Sequence, residues 1–178
     1  MLADPRHSRL VLINHARKER DAVSLRLVAR RKESLCLLPA AFEVLGVGLH
    51  AIGDYDLALL PEALALSMPS LDGDSLSLWR NERFAASLAA SNVGVVFLGG
   101  GFLEEEVFIA ALEGVRLGYD VRLLADLSVA RCEADRSLVL DRLALHGVLT
   151  TTVRQALLEW AVCLDDPVSK QKVVELLS

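Results

Sequence analysis

The sequence predicts a single α/β domain spanning 1–178, with a mainly parallel sheet covered by helices on both faces. Three observations carry that reading. Short aliphatic runs with little polar alternation recur along the chain, as strands buried on both faces require. Longer stretches with helical spacing separate them. The chain has 178 residues, 53% hydrophobic and 24% charged, which allows one full core and excludes a disordered chain.

The elements follow in order. Leu10 to Asn14 (LVLIN) reads as a strand running into the polar His15-Ala16-Arg17-Lys18-Glu19. Helical spacing then extends from Asp21 to Leu45, where Pro39 is expected to kink the helix or start a second one. Gly46 and Gly48 break that pattern, and Leu49 to Ile52 is the second strand. Leu57 to Leu66 is a short helical stretch, and Met68 to Ser77 is the most loop-like segment of the chain. Asn81 to Ser91 is helical, and Val93 to Leu98 (VGVVFL) is a continuous apolar strand. Gly99-Gly100-Gly101 then forms a loop into a helix ending at Leu117. Tyr119 to Ala125 is the next strand, closed by Asp126, and Glu133 to His146 is a helix with Gly147 as its C-cap. Val148 to Thr151 is a short strand before the helix Val153 to Cys163, and Asp166-Pro167 opens the last helix, Val168 to Leu177.

Composition excludes several functions. A net charge of −5, from 24 acidic and 19 basic residues, argues against nucleic acid as the main partner, because phosphate contacts need a basic patch. Arg26 to Lys32 is the nearest to one, and a single basic turn reads as a solvated helix face. No apolar run approaches the ~18 residues that span a bilayer, and the opening MLADPRHSR lacks the apolar stretch of a signal peptide. The cysteines, Cys36, Cys132 and Cys163, are odd in number and widely spaced without a CxxC, so they read as core or incidental residues of a reducing compartment. The expectation is a soluble cytoplasmic protein with no cofactor, no metal, no membrane partner and no nucleic-acid partner. Mean hydropathy of +0.38 is high for a chain that exposes all its surface, and predicts a homo-oligomer, at least a dimer.

Ligands of open parallel sheets bind beyond the strand C-terminal ends, here Asn14, Gly53, Gly99 to Gly101, and Asp126. The segment Gly99 to Glu106 (GGGFLEEE) has the chemistry of an oxyanion turn, because glycines let backbone N–H groups converge where a helix begins. It is a poor phosphate loop: no Lys-Ser/Thr follows the glycines, and three carboxylates repel phosphate. It also lacks the GxGxxG of dinucleotide sites. Taken alone, Glu104 to Glu106 reads as first-turn acids, worth about 0.3–1 kcal/mol each at a helix N-terminus.

From Asn92 onward the chain resembles the isochorismatase-like cysteine hydrolase superfamily, which includes nicotinamidases and carbamoylsarcosine-type amidases. The residues that carry the resemblance are the strand VVFLGG ending at Gly100, the helix opening near Val107, Gly118-Tyr119-Asp120-Val121, and the strand-end Asp126. The closing DRLALHG, VLTTT and RQALLEW also fit, and Leu10 to Asn14 matches the opening strand, whereas 17–77 matches vaguely. The resemblance implies a three-layer α/β/α, Rossmann-like sheet of six strands, the sixth with no identifiable place in this sequence. It also implies an oxyanion turn of Gly100, Gly101 and Phe102, with a cis Gly101–Phe102 bond.

The resemblance further implies a Cys nucleophile, an Asp and a Lys, and aligns them with Glu106, Asn14 and a position near Gly73. No lysine occurs between Lys32 and Lys170. Glu106 cannot form a thioester and Asn14 cannot act as a base. His15, next to Asn14, is a further pocket candidate. His50 lies in the second strand without a ligand cluster around it, His146 reads as a helix C-terminal residue and His7 as part of a tail. Three readings follow: a catalytically degenerate member that binds a small molecule or serves in assembly; an active hydrolase of a small amide or ester-like substrate using Glu106 as base or nucleophile; or a structural subunit paired with an active paralogue.

Overall fold

The computed structural model describes residues 1–17, 25–55, 60–62, 70–71 and 75–178. Strands β1 (Ser8–Ile13), β2 (Gly48–Ile52), β4 (Val95–Gly100), β5 (Asp120–Leu124) and β6 (Leu149–Thr151) pair in parallel, and a two-residue segment β3 (Ser70–Leu71) adds to the outer edge of β2. The order is β3-β2-β1-β4-β5-β6, so the strand order reverses between β1 and β4. The expected "mainly parallel" sheet is parallel at every pairing among the described residues.

The strands alternate between two cores. Leu10 and Leu12 of β1 face α1 (Leu25–Glu43), α5 (Val153–Leu164) and α6 (Pro167–Leu176), with Phe97 and Trp160 at the centre. Val11 and Ile13 face the other layer, α2 (Glu82–Ala90), α3 (Glu106–Arg116) and α4 (Arg136–Leu145). Both faces are therefore sealed, which is why the strands read as unbroken aliphatic runs.

Three expectations are corrected. Gly99 and Gly100 belong to β4, paired with Leu12 and Ile13, so the strand ends at Gly100 as the resemblance implied and the reading of all three glycines as a loop is overturned. A β-carbon at Gly100 would lie 2.2 Å from the Ile13 carbonyl oxygen, so glycine is what lets the two strands run on side by side. Pro39 does not start a second helix: α1 runs on through it, with Leu35, Leu38 and Ala41 in the core. The sixth strand, which had no place in the sequence, lies in Met68 to Ser77, where two residues are too few to show a strand pattern. The helix read at 57–66 falls mostly outside the described residues, as do 21–24 of the first.

Asp166 caps the last helix as the sequence reading has it, accepting the N–H groups of Val168 and Ser169 with Pro167 in the first turn. The structure adds two caps: Asn81 accepts the Phe84 N–H and Thr152 the Gln155 N–H. Gly147 takes a positive φ of 84° after α4. No helix among the described residues is long and apolar enough to cross a membrane.

Candidate functional site

The ends of β1 and β4 meet at the reversal of strand order, and the polar groups there are tied to one another. Asn14 leaves β1 in the left-handed region (φ 44°), which a short polar side chain tolerates. Its N–H donates to the Ile52 carbonyl (2.9 Å), and its side-chain oxygen accepts the Asp54 N–H (2.8 Å). The amide thereby clips the loop after β1 to the loop after β2. Its NH₂ group points the other way and donates to Glu106 Oε1 at 2.9 Å.

Glu106 opens α3 and is 3% exposed. The same Oε1 accepts the Phe102 N–H at 3.1 Å and faces Arg17 Nε at 3.8 Å. The turn is shaped around this oxygen. Gly101 donates its N–H to the Ile13 carbonyl (2.5 Å), and a β-carbon at 101 would stand 2.1 Å from Glu106 Oε1. The cis bond expected at Gly101–Phe102 is absent: no described peptide bond is cis. A trans bond already delivers the Phe102 N–H to the carboxylate, so the roughly 3 kcal/mol of a non-proline cis bond has nothing to offset it.

The three consecutive glutamates have different fates. Glu104 accepts the Arg131 N–H with both oxygens (3.1 Å each) and the Cys132 N–H (3.3 Å), while Glu105 pairs with Arg131 Nε at 2.5 Å. Arg131 also lies over the Phe102 ring, 4.2 Å from its centroid. Glu104 and Glu105 thus fasten the 131–132 loop over the turn, and the reading of all three as first-turn acids holds only for Glu106.

His15 is buried, stacks on Tyr55 with centroids 6.4 Å apart, and its carbonyl accepts Arg31 Nη2 at 2.6 Å. Asp126 binds the Ser34 hydroxyl (2.7 Å) and the Val153 N–H (3.1 and 3.2 Å), bracing α1 and α5 against the end of β5. A cavity of about 280 Å³ opens beside it, lined by Leu27, Arg30, Arg31, Arg136 and Leu140 among others. The position near Gly73 lies outside the described residues. Cys36 and Cys132 are exposed and Cys163 is half-buried, so none is a core residue as one reading had it. Among the described residues no group of three or more His, Cys, Asp or Glu could hold a metal ion.

Sequence reasoning missed Arg17, Asp54, Arg31 and Arg131. Their roles depend on contacts between loops of different strands, for which no local pattern exists.

Solved structures share this architecture. The YcaC gene product of Escherichia coli, described as an octameric hydrolase of unknown specificity, matches with a TM-score of 0.75 and 17% identity, over 99% of this chain and 90% of that one. MAR1 ribonuclease from Caenorhabditis elegans matches at 0.78 and 17%, over 99% and 92%. An isochorismatase-like hydrolase from Alkaliphilus metalliredigens matches at 0.62 and 16%, over 83% and 95%. The chain has the isochorismatase-like hydrolase fold. No family model and no curated protein matches the sequence. In this isochorismatase-like frame, Glu106 occupies the start of the helix that follows β4, and Asn14 the end of β1 beside it.

Proposed function

We propose that this chain is a catalytically degenerate protein of the isochorismatase-like fold, acting through a small-molecule ligand or through assembly and not through acyl transfer. One observation carries the reading: Glu106 Oε1 already accepts both the Phe102 N–H and the Asn14 amide. An oxyanion turn stabilises a developing negative charge only if its N–H groups are available to the substrate. Here the protein's own carboxylate takes that place, and neither Glu106 nor Asn14 can do what a thiolate and its base would do.

A homo-oligomer fits the same reading. Leu138 and Leu145 on α4 and Leu149 on the edge strand β6 are exposed apolar side chains on neighbouring elements, a surface that a second copy would cover. The net charge of −5 favours a small molecule over a nucleic acid as ligand.

The test is hydrolysis of nicotinamide, p-nitrophenyl acetate and a mixed-sequence RNA by wild type, by iodoacetamide-treated protein and by Glu106→Gln. The expected result is no turnover above buffer in any of them. Turnover lost on alkylation would assign the chemistry to a cysteine. Turnover lost in Glu106→Gln alone would establish the active hydrolase with Glu106 at its centre.

A further inference from the structure

A second polar region lies away from the strand ends and is built in the opposite way. Arg9 of β1 and Gly48 of β2 are register partners near the start of the sheet. Arg9 shares its face with Val11 and Ile13, and His50 shares its face with Ile52, so both side chains emerge on the α2 side. Beside 48–50 the sheet edge is open among the described residues, because β3 pairs with β2 only at Ala51 and Ile52. A crevice of about 350 Å³ lies there, lined by Arg9, Phe42, Leu49, His50, Ala90 and Ser91 among others, with no acidic residue among the described residues of its wall.

The guanidinium of Arg9 reaches across to β2 at Gly48. A β-carbon at Gly48 would stand 1.6 Å from Arg9 Nη1, so the glycine makes its berth. Arg9 Nε is buried with no hydrogen-bond partner, and among the described residues no carboxylate pairs with this guanidinium. Burial alone lowers its pKa. His50 is 6% exposed, meets the Phe84 ring edge-on at 5.8 Å, and has its Nδ1 buried without a partner. Burial and the Arg9 charge hold its pKa at about 4, so it is neutral at pH 7 and carries one N–H. A half-buried cation beside a neutral donor, with no anion of its own, is an incomplete ion pair.

We propose that this crevice binds a monoanionic carboxylate joined to a small apolar group. The Arg9 fork holds the carboxylate, the His50 imidazole N–H donates to it, and the apolar group rests on Leu49, Phe42 and Ala90. One cation matches one negative charge, and the planar guanidinium matches a carboxylate in two parallel hydrogen bonds. Phosphate would bring more charge than a single cation balances. The carboxylate belongs either to a free small acid or to an acidic side chain of a second copy. This proposal does not rest on the reading of Glu106, and its failure would leave that reading untouched.

The probe is benzoate, followed through the His50 imidazole NMR resonances at pH 7, with neutral benzamide as control. Saturable shifts with benzoate and none with benzamide are expected, together with a rise in the His50 pKa as the carboxylate offsets the Arg9 charge. Among the described residues Arg9 is the charged group in the crevice wall; Phe42 from α1 and Phe84, Ser87 and Ser91 from α2 and its end are neutral. Arg9→Met should weaken benzoate by at least about tenfold. Gly48→Ala should do the same with the fold intact, because its methyl group only displaces the end of a flexible side chain. Sedimentation equilibrium separates the two sources: an assembly that dissolves in Arg9→Met and in benzoate receives its carboxylate from a second copy, and an unchanged assembly points to a free acid. Equal responses to benzoate and benzamide, or unchanged benzoate binding in Arg9→Met and Gly48→Ala, would overturn the proposal, as would no benzoate response together with an assembly indifferent to Arg9.

Discussion

Two polar regions flank β1, and they differ in what their charges have found. At the C-terminal end, the Glu106 carboxylate is buried with two hydrogen-bond donors on one oxygen and Arg17 beside it. Near the N-terminal end, the Arg9 guanidinium is half-buried with no carboxylate paired to it among the described residues, beside an imidazole with an orphaned nitrogen. The first region is complete in itself, as a structural knot is. The second has capacity left over, as a binding site has. The strand ends, where an α/β sheet is expected to work, are here the more closed of the two.

The largest effect should come from opening the knot. Glu106→Ala strands the Phe102 N–H and the Asn14 NH₂ in a buried place, at about 1–3 kcal/mol each, so a loss near 4 kcal/mol is expected in urea unfolding. Glu106→Gln keeps an acceptor oxygen and should lose far less. Equal losses for the two variants would show that the carboxylate is not held as described.

A second expected effect concerns the open region and depends on pH. The His50 pKa is lowered from 6.5 to about 4 in the folded protein. Between those values the unfolded chain binds a proton that the folded one refuses, so stability falls as the pH drops from 6.5 to 4. The loss is complete below the folded value and amounts to up to about 3 kcal/mol. His50→Phe should flatten that part of the stability–pH curve, and an unaltered slope would remove His50 from the account.

The fold was legible because burial on both faces leaves a strong mark: five strands appear in the aliphatic runs, and the Asp166 cap in the polar stop before Pro167. The positions of Asn14 and Glu106 came from counting along a family resemblance, and the structure brings the two within one hydrogen bond. What the sequence hid was geometry between loops. Nothing local marks Gly101 as a berth for a carboxylate, or Gly48 as one for a guanidinium. The triple glycine looked like one loop, yet two of its members are strand residues pressed against β1. His50 looked like an isolated strand histidine, because its significance depends on Arg9, its register neighbourhood on another strand.

A smaller effect sharpens the contrast between the two regions. Asn14→Asp would set two carboxylates 2.9 Å apart where an amide now donates. The cost should be about 2 kcal/mol at pH 7 and should shrink as the pH falls, since one carboxyl then takes a proton with a raised pKa. Adding Glu106→Gln should restore most of the loss, giving a coupling of similar size in a double-mutant cycle. Simple additivity would mean that the two side chains do not share the bond.

The central claim is that the turn after β4 is filled by the protein's own carboxylate, and amide hydrogen exchange at Phe102 reads it directly. The account predicts a protected Phe102 N–H in wild type, unmoved by added acetate or phosphate, and much faster exchange at that amide than at its neighbours in Glu106→Ala. A Phe102 N–H that exchanges as freely in wild type as in Glu106→Ala, or that shifts when acetate is added, would mean the turn is open to ligands and would contradict it.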